Sequence, residues 1–340
     1  MEQTTPTSGT ASRTPVPTVR GPVDPDDLGT VLTHEHVFVR DLEFGLNFPR
    51  LWDSEQGVAE AVRRLENAWE HGVRTLVDMT VIGQGRNLEL IRRVAEQTRV
   101  NIVLATGLYL LDGLPQLLRL RGPETPLGGP DPLVDLLEGD ITTGIAGSDV
   151  KAALLKFVCE KTEDDPTVRR VAAAVAEVHR RTKVPVVVHT EPGNTSALTV
   201  LNLLRDLGVD PHDVVLAHVG DVADAGYLRE LAASGAWLGC DRFGMTALGS
   251  DEQRIATVAA LLTEGHLDQV LLSQDCPAFI DHVTEEQRAQ LNPHWDYAHL
   301  HTNLVPRMLA EGISEKEIDA LFVANPRRLL TTAARHAEAA

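Results

Sequence analysis

Eight short runs rich in Val, Ile and Leu recur along this chain, each followed by glycine or polar residues and then by a helical pattern. They fall at 30–39, 74–80, 102–108, 152–159, 185–190, 214–219, 236–243 and 270–276. Runs of this length bounded by turn residues read as strands. Near-continuous apolarity without alternation is what a parallel strand covered on both faces requires. Helical spacing fills the gaps. Across 54–72 the residues Val58, Ala61, Val62, Leu65, Ala68 and Trp69 form one apolar stripe, and Gly72 supplies a stop. Val168, Val171, Ala172, Val175 and Val178 repeat the pattern before the fifth run, and Ser250 with Gln253 and Ser314 with Glu317 have capping-box spacing. Strand–helix alternation along the whole chain demands parallel pairing. Eight such units close most economically into a single (β/α)8 TIM barrel, an α/β fold. The alternative, an open doubly wound sheet, is disfavoured because no Gly-rich phosphate fingerprint follows the first run.

The 340 residues would by length alone suggest two domains, but barrels of this kind reach that size as one. The expected organisation is a disordered leader at 1–17, rich in Thr, Ser and Pro, a barrel at 18–330, and a tail at 331–340. Two long connections, 109–149 and 277–302, follow the third and eighth runs, on the side of a barrel where substrate is held. A formal charge of −18 repels phosphate backbones and anionic membranes, so nucleic acid and membrane are excluded as partners. Cys159, Cys240 and Cys276 form neither a disulfide framework nor a C-x-x-C pair, which fits a reducing cytoplasm. No apolar run approaches the length of a membrane span.

Several runs end in a residue able to bind metal. The first carries His34 and His36, two apart and therefore on one face, with Glu35 on the other. The fourth carries Lys156, the fifth ends at His189, the sixth at His218 and the eighth at Asp275. Taken singly, a strand-end His is more often a satisfied rim residue, and an Asp there commonly caps the next helix. Six such groups at the same ends of five barrel strands converge on one cavity, and that convergence is what points to metal. Four imidazoles and a carboxylate suit zinc first, with cobalt, manganese or iron as alternatives, rather than calcium or magnesium. A lysine ammonium cannot ligate a metal, but its neutral amine reacts with carbon dioxide to give a carbamate, whose two oxygens bridge two cations.

These residues, with their surroundings, resemble the phosphotriesterase branch of the amidohydrolase superfamily, and within it the phosphotriesterase-like lactonases. The resemblance runs over nearly the whole chain. It rests on Thr-Val-Arg-Gly-Pro at 18–22, Leu-Thr-His-Glu-His at 32–36, Ala-Thr-Gly-Leu-Tyr at 105–109 and the Lys156 strand. It continues through Val-His-Thr at 188–190, Ala-His-Val-Gly-Asp at 217–221, Asp-Arg-Phe-Gly at 241–244 and Asn-Pro-Arg-Arg at 325–328. It implies two divalent metal ions, the more buried one on His34, His36 and Asp275 and the more exposed one on His189 and His218. Carbamylated Lys156 and a hydroxide would bridge them, with Asp275 taking the nucleophile's proton and passing it to the leaving group. Tyr109 matches a tyrosine that contacts the hydroxide or substrate, and Arg242 an arginine that shapes the lactone site. A homodimer follows by the same analogy.

The implied reaction is hydrolysis of a small lactone or ester, an acyl-homoserine or other lactone, with slower hydrolysis of phosphotriesters. An N-acyl amino acid or related amide is the alternative at the same site. A one-metal deaminase would not need Lys156, and a binding protein that had lost catalysis would have lost ligands. There are departures from the lactonase pattern. Gln274 stands where many lactonases carry histidine, Pro277 and Ala278 follow, and Asp281, Glu285 and Glu286 make the loop at 277–293 acidic for a greasy acyl channel. Cys276 is expected either to line the pocket or to be a neutral rim residue. His294, His299 and His301 are expected to belong to a helix packed on the barrel rather than to a second metal cluster.

Overall fold

The runs form strands where expected, with one instructive break. The computed structural model describes residues 14–111, 113–160 and 165–339. Nine strands are present among them: β1 Thr30–Val39, β2 Val73–Asp78, β3 Asn101–Leu108, β4 Ala152–Cys159, β5 Val186–Thr190, β6 Val214–Ala217, β7 Trp237–Cys240, β8 Val270–Leu272 and β9 Pro277–Ile280. Pairing is parallel throughout, in the order β8-β7-β6-β5-β4-β3-β2-β1-β9. The predicted eighth strand is therefore split in two. Its middle still holds to β1, through Asp275 N–H to the His34 carbonyl (2.9 Å) and His36 N–H to the Cys276 carbonyl (3.0 Å). β8 and β9 are one interrupted strand lying along β1, and they close the sheet on itself as the TIM barrel. The break falls where Asp275 takes φ +49, a left-handed conformation that ends the ladder.

Side chains divide between the inside of the barrel and the layer under the helices. Val31, Val77, Val103, Leu154, Val187, Val215 and Leu271 pack together inside. Leu32, Leu76, Leu104, Leu155, Val188 and Leu216 face the surrounding helices. The helix Ser54–Glu70 buries Val58, Ala61, Leu65 and Ala68 against this outer layer, and is capped by the Asp53 carboxylate on Glu55 N–H at 2.9 Å. Ser314 and Glu317 form the expected reciprocal box, and Ser250 caps through Gln253 N–H. Period two from Leu154 carries Lys156 inward, and from Val187 it carries His189 inward. In β1 the parity changes. A register irregularity between Leu32 and Glu35 lets both Val31 and, three residues on, His34 face the interior. At Gly107 a Cβ would stand 1.7 Å from the Lys156 carbonyl oxygen, so only glycine lets β3 and β4 approach there.

Of the expected leader, 1–13 lies outside the described residues, while Val16 is buried and bridges to Val23. The connection at 277–302 contains β9 and a helix, Glu285–Leu291. Residues Thr332–Ala339 form a further helix. No helix among the described residues is long and apolar enough to cross a membrane.

Candidate metal centre

The six residues singled out in the sequence come together at the C-terminal mouth of the barrel. His36 Nε2 lies 3.1 Å from Asp275 Oδ1, and His34 Nε2 lies 3.6 Å from the same oxygen. The donor atoms of these three residues lie within 4.8 Å of one another. Lys156 Nζ stands 3.4 Å from His34 Nε2, and His218 Nε2 stands 2.8 Å from His189 Nδ1. His218 and Asp275 are two of the five non-glycine residues described with positive φ, at +69 and +49. Strain of this kind concentrates where function fixes the backbone.

The opposite nitrogens of the rings are held from outside. His218 Nδ1 meets Asp241 Oδ1 at 2.8 Å, and His189 Nε2 meets Glu160 Oε1 at 2.8 Å. Burial lowers the pKa of both imidazoles, that of His218 to about 3, so each ring is neutral and carries one N–H. With those protons directed to the carboxylates, His218 Nε2 and His189 Nδ1 turn lone pairs towards each other across 2.8 Å. Two lone pairs so close repel unless a cation lies beside both. The donor set therefore fits a metal ion.

The same logic extends to the first pair. His36 Nδ1 is 2.8 Å from the Thr80 hydroxyl, and burial, aided by the Lys156 charge, lowers this imidazole to about 4. His34 Nδ1 is 3.1 Å from Asp241 Oδ2, short but poorly aligned for a hydrogen bond. Asp241 thus faces a ring from each candidate metal position. Burial pushes the Asp275 carboxyl up, but the His36 hydrogen bond and the surrounding imidazoles prevail and hold it well below the carboxylate range. Burial lowers Lys156 to about 8, which leaves a share of neutral amine near pH 7.

A cavity of about 190 Å³ opens over these groups, lined by Tyr109, Arg242 and His282 together with the apolar Val39, Met245, Ile280 and Trp295. The Tyr109 ring lies edge-on to His189, centroids 5.2 Å apart. Burial raises the Tyr109 pKa, so it stays a phenol. Arg242 Nε is buried with no hydrogen-bond partner among the described residues, 3.7 Å from Asp275 Oδ2. Asp221, 3.8 Å from Arg242, is gripped in turn by buried Arg254 at 2.6 Å.

The neighbours of Asp275 turn away from the mouth. Cys276 does not line the cavity. The bend at Asp275 turns its thiol towards Arg288 and the Trp295 carbonyl. Gln274 also points away, donating to the Tyr297 carbonyl and accepting from Leu300 N–H. Acidic side chains of the 277–293 loop are engaged away from the cavity, Asp281 accepting from Asp41 N–H and Glu285 pairing with Arg64. Glu35 leaves the mouth as expected, but it is fully buried. It accepts from the Ser273 hydroxyl and from Gln274 and Cys276 N–H at 2.7–2.8 Å. Burial pushes its carboxyl up to about 8, while these three donors pull the other way and favour the carboxylate. His299 bonds to Asp251 at 2.8 Å and stays apart from the six residues, as expected.

Two contributors were not singled out in the sequence. Glu160 lies four residues beyond Lys156, so period two puts it on the same face. Asp241 directly follows β7, a strand to which no ligand was assigned. Their positions at strand ends were legible; the imidazoles they meet were not.

Fold and site together define an α/β-barrel hydrolase of the metal-dependent kind. Residues 14–330 match the phosphotriesterase family, and the chain belongs to it. It is 40% identical to a phosphotriesterase homology protein of Mycobacterium tuberculosis, over 92% of this chain and 96% of that one. It is 29% identical to an aryldialkylphosphatase of Saccharolobus solfataricus (91% and 97%), and 26% identical to a human N-acetyltaurine hydrolase (93% and 97%). The solved phosphotriesterase structure from Mycobacterium tuberculosis superposes with a TM-score of 0.91 at 39% identity, covering 93% of this chain and 98% of that chain.

Proposed function

We propose that this protein is a binuclear metal-dependent hydrolase of small lactones, with slower hydrolysis of phosphotriesters at the same site. The observation that carries the metal reading is the pair His189 Nδ1 and His218 Nε2, facing at 2.8 Å with their outer nitrogens tied to carboxylates. His34, His36 and Asp275 would hold one ion and His189 with His218 the other, zinc first among the candidates. Lys156 Nζ lies 3.4 Å from His34 Nε2, and its charge reaches both His36 and His189. Its neutral amine would add to carbon dioxide, forming an N–C bond and releasing one proton, and the carbamate would supply oxygen ligands to the metal centre. When bound, the pair of ions acidifies water to give a nucleophile at neutral pH and polarises the substrate's oxygen.

The chain's own residues do the rest. Asp275 Oδ1 is taken up by His34 and His36, so Oδ2 is the oxygen left to accept the nucleophile's proton and return it to the leaving alkoxide. Arg242, with Nε 3.7 Å from that oxygen, lines the cavity and supplies a positive charge beside Asp275 and the substrate. Tyr109, held as a phenol and lining the same cavity, donates to the substrate. A cavity of about 190 Å³ is smaller than the roughly 300–1,000 Å³ of pockets for drug-sized ligands, so short acyl groups fit and long ones protrude.

Turnover of a lactone series, a paraoxon-like triester and N-acyl amino acids by the metal-loaded protein tests this reading. Short lactones should be turned over fastest. No lactone turnover above the metal-only background refutes it. The alternative, an N-acyl amino acid or sulfonate amide, draws support from Arg242 as a cation in the pocket and from the N-acetyltaurine hydrolase relatives. It predicts that the acidic amides lead the series. Buried Cys240 and Cys276, neither in a disulfide, support a cytoplasmic setting. The exposed apolar residues Leu42, Phe44, Leu46, Phe48 and Leu51 support a homodimer, which sedimentation checks.

A further inference from the structure

We infer that Glu35, the middle residue of His34-Glu35-His36, is a positioning residue that fixes Asp275 in its left-handed backbone conformation and so sets one side of the metal cluster. The inference rests on the metal reading above.

Asp275 is the one non-histidine side chain in the cluster with His34 and His36, and it sits in the break between β8 and β9 at φ +49. A non-glycine residue holds that conformation only when its surroundings impose it. The two amides flanking Asp275, Gln274 N–H and Cys276 N–H, both donate to the Glu35 carboxylate at 2.8 Å, one to each oxygen. The Ser273 hydroxyl donates to Oε1 at 2.7 Å and accepts from His34 N–H at 2.9 Å. Asp275 N–H itself donates to the His34 carbonyl at 2.9 Å. Every polar group from 273 to 276 that faces β1 is thus tied to the residues carrying the two histidines. Alternation places Glu35 behind the imidazoles, so the same strand that presents His34 and His36 to the mouth reaches around the back to hold Asp275 opposite them.

The three partners all donate, so both oxygens of the residue 35 side chain must accept. In Glu35→Gln the carbonyl oxygen can replace Oε1, but its NH2 then confronts Cys276 N–H, donor against donor. The turn opens on the C-terminal side of Asp275. Ser273→Ala removes one of the three bonds to Glu35, together with the acceptor of His34 N–H, and leaves both amides held.

Cobalt(II) titration of wild type, Glu35→Gln and Ser273→Ala, followed by the visible absorption of the bound ion, tests this. Circular dichroism and thermal unfolding report whether each variant is folded. Glu35→Gln should keep the fold and bind one of two cobalt ions at least about tenfold more weakly, with a changed spectrum, and Ser273→Ala should fall between it and wild type. Unchanged affinity and spectrum in both variants overturn the inference and leave the metal reading standing. If Glu35→Gln does not fold, Ser273→Ala decides. Weakened binding supports the inference, and wild-type binding overturns it. A wild-type protein that takes up no cobalt overturns the metal reading, and this inference with it.

Discussion

Asp241→Asn should strip one metal ion from the site and leave the other. Asp241 Oδ1 accepts from His218 N–H at 2.9 Å and from His218 Nδ1–H at 2.8 Å, while Oδ2 faces His34 Nδ1 at 3.1 Å. Two donors at Oδ1 fix the orientation of the new amide, so its oxygen stays with His218 and its NH2 meets His34. That NH2 donates to Nδ1 and forces the His34 proton onto Nε2, the nitrogen turned towards Lys156 and Asp275. His34 can then offer no lone pair to the cluster. Replacing a partner that orients a metal ligand costs roughly 10–100-fold in affinity, or about 1.4–2.7 kcal/mol. The loss should fall on the ion shared with His36 and Asp275, because His218 keeps both its bonds. Metal content after dialysis against graded chelator measures it: two ions per chain in wild type and one in the variant, across about a tenfold to hundredfold range of free metal. Retention of both ions at wild-type affinity would refute the reasoning. Loss of the two together would show that Asp241 serves the site as a single unit.

Lys156→Arg keeps a cation in place but has no amine to carbamylate, so the variant should lose hydrolysis. With ¹³C-bicarbonate, NMR should detect a carbamate carbon in wild type alone. Arg254→Met should lower the free energy of unfolding in urea by about 3–5 kcal/mol, because it leaves Asp221 and Asp251 without the buried guanidinium that bonds both. The half-buried His301 ring, against Phe322 and near His71, has its pKa lowered by burial from 6.5 to about 4. Between those values the unfolded chain binds a proton that the folded chain refuses, so stability falls as pH drops through that window, by up to roughly 3 kcal/mol. His301→Gln should lose that share of the pH dependence in urea titrations at pH 7 and pH 4.

The barrel was legible in the sequence because its strands are buried on both faces and so read as unbroken apolar runs. The candidate ligands were legible because the residues that carry chemistry stand against that apolar background. Less visible was anything that depends on which strands become neighbours. Asp241 and Glu160 orient imidazoles on other strands, and no spacing along the chain reports a contact across it. Cys276 was misplaced for a related reason. A strand continued through 270–276 alternates its side chains evenly, but the ladder breaks at Asp275, and the residues on either side rotate towards Trp295 and Tyr297. In β1, too, the alternation slips between Leu32 and Glu35, just before the two histidines.

These two irregularities face each other across the closing seam of the barrel, and that pairing gives them a common cause. A regular β1 against a regular eighth strand would bond along its whole length, with side chains in fixed rows. Asp275 could not then turn its carboxylate to within 3.1 Å of His36 Nε2. Breaking the eighth strand frees Asp275 to do so, but it also leaves the amides at 274 and 276 without strand partners inside a buried seam. Glu35 accepts both. A buried carboxylate between two histidines, which in a sequence looks like a spacer, is the acceptor that this particular break in the sheet requires.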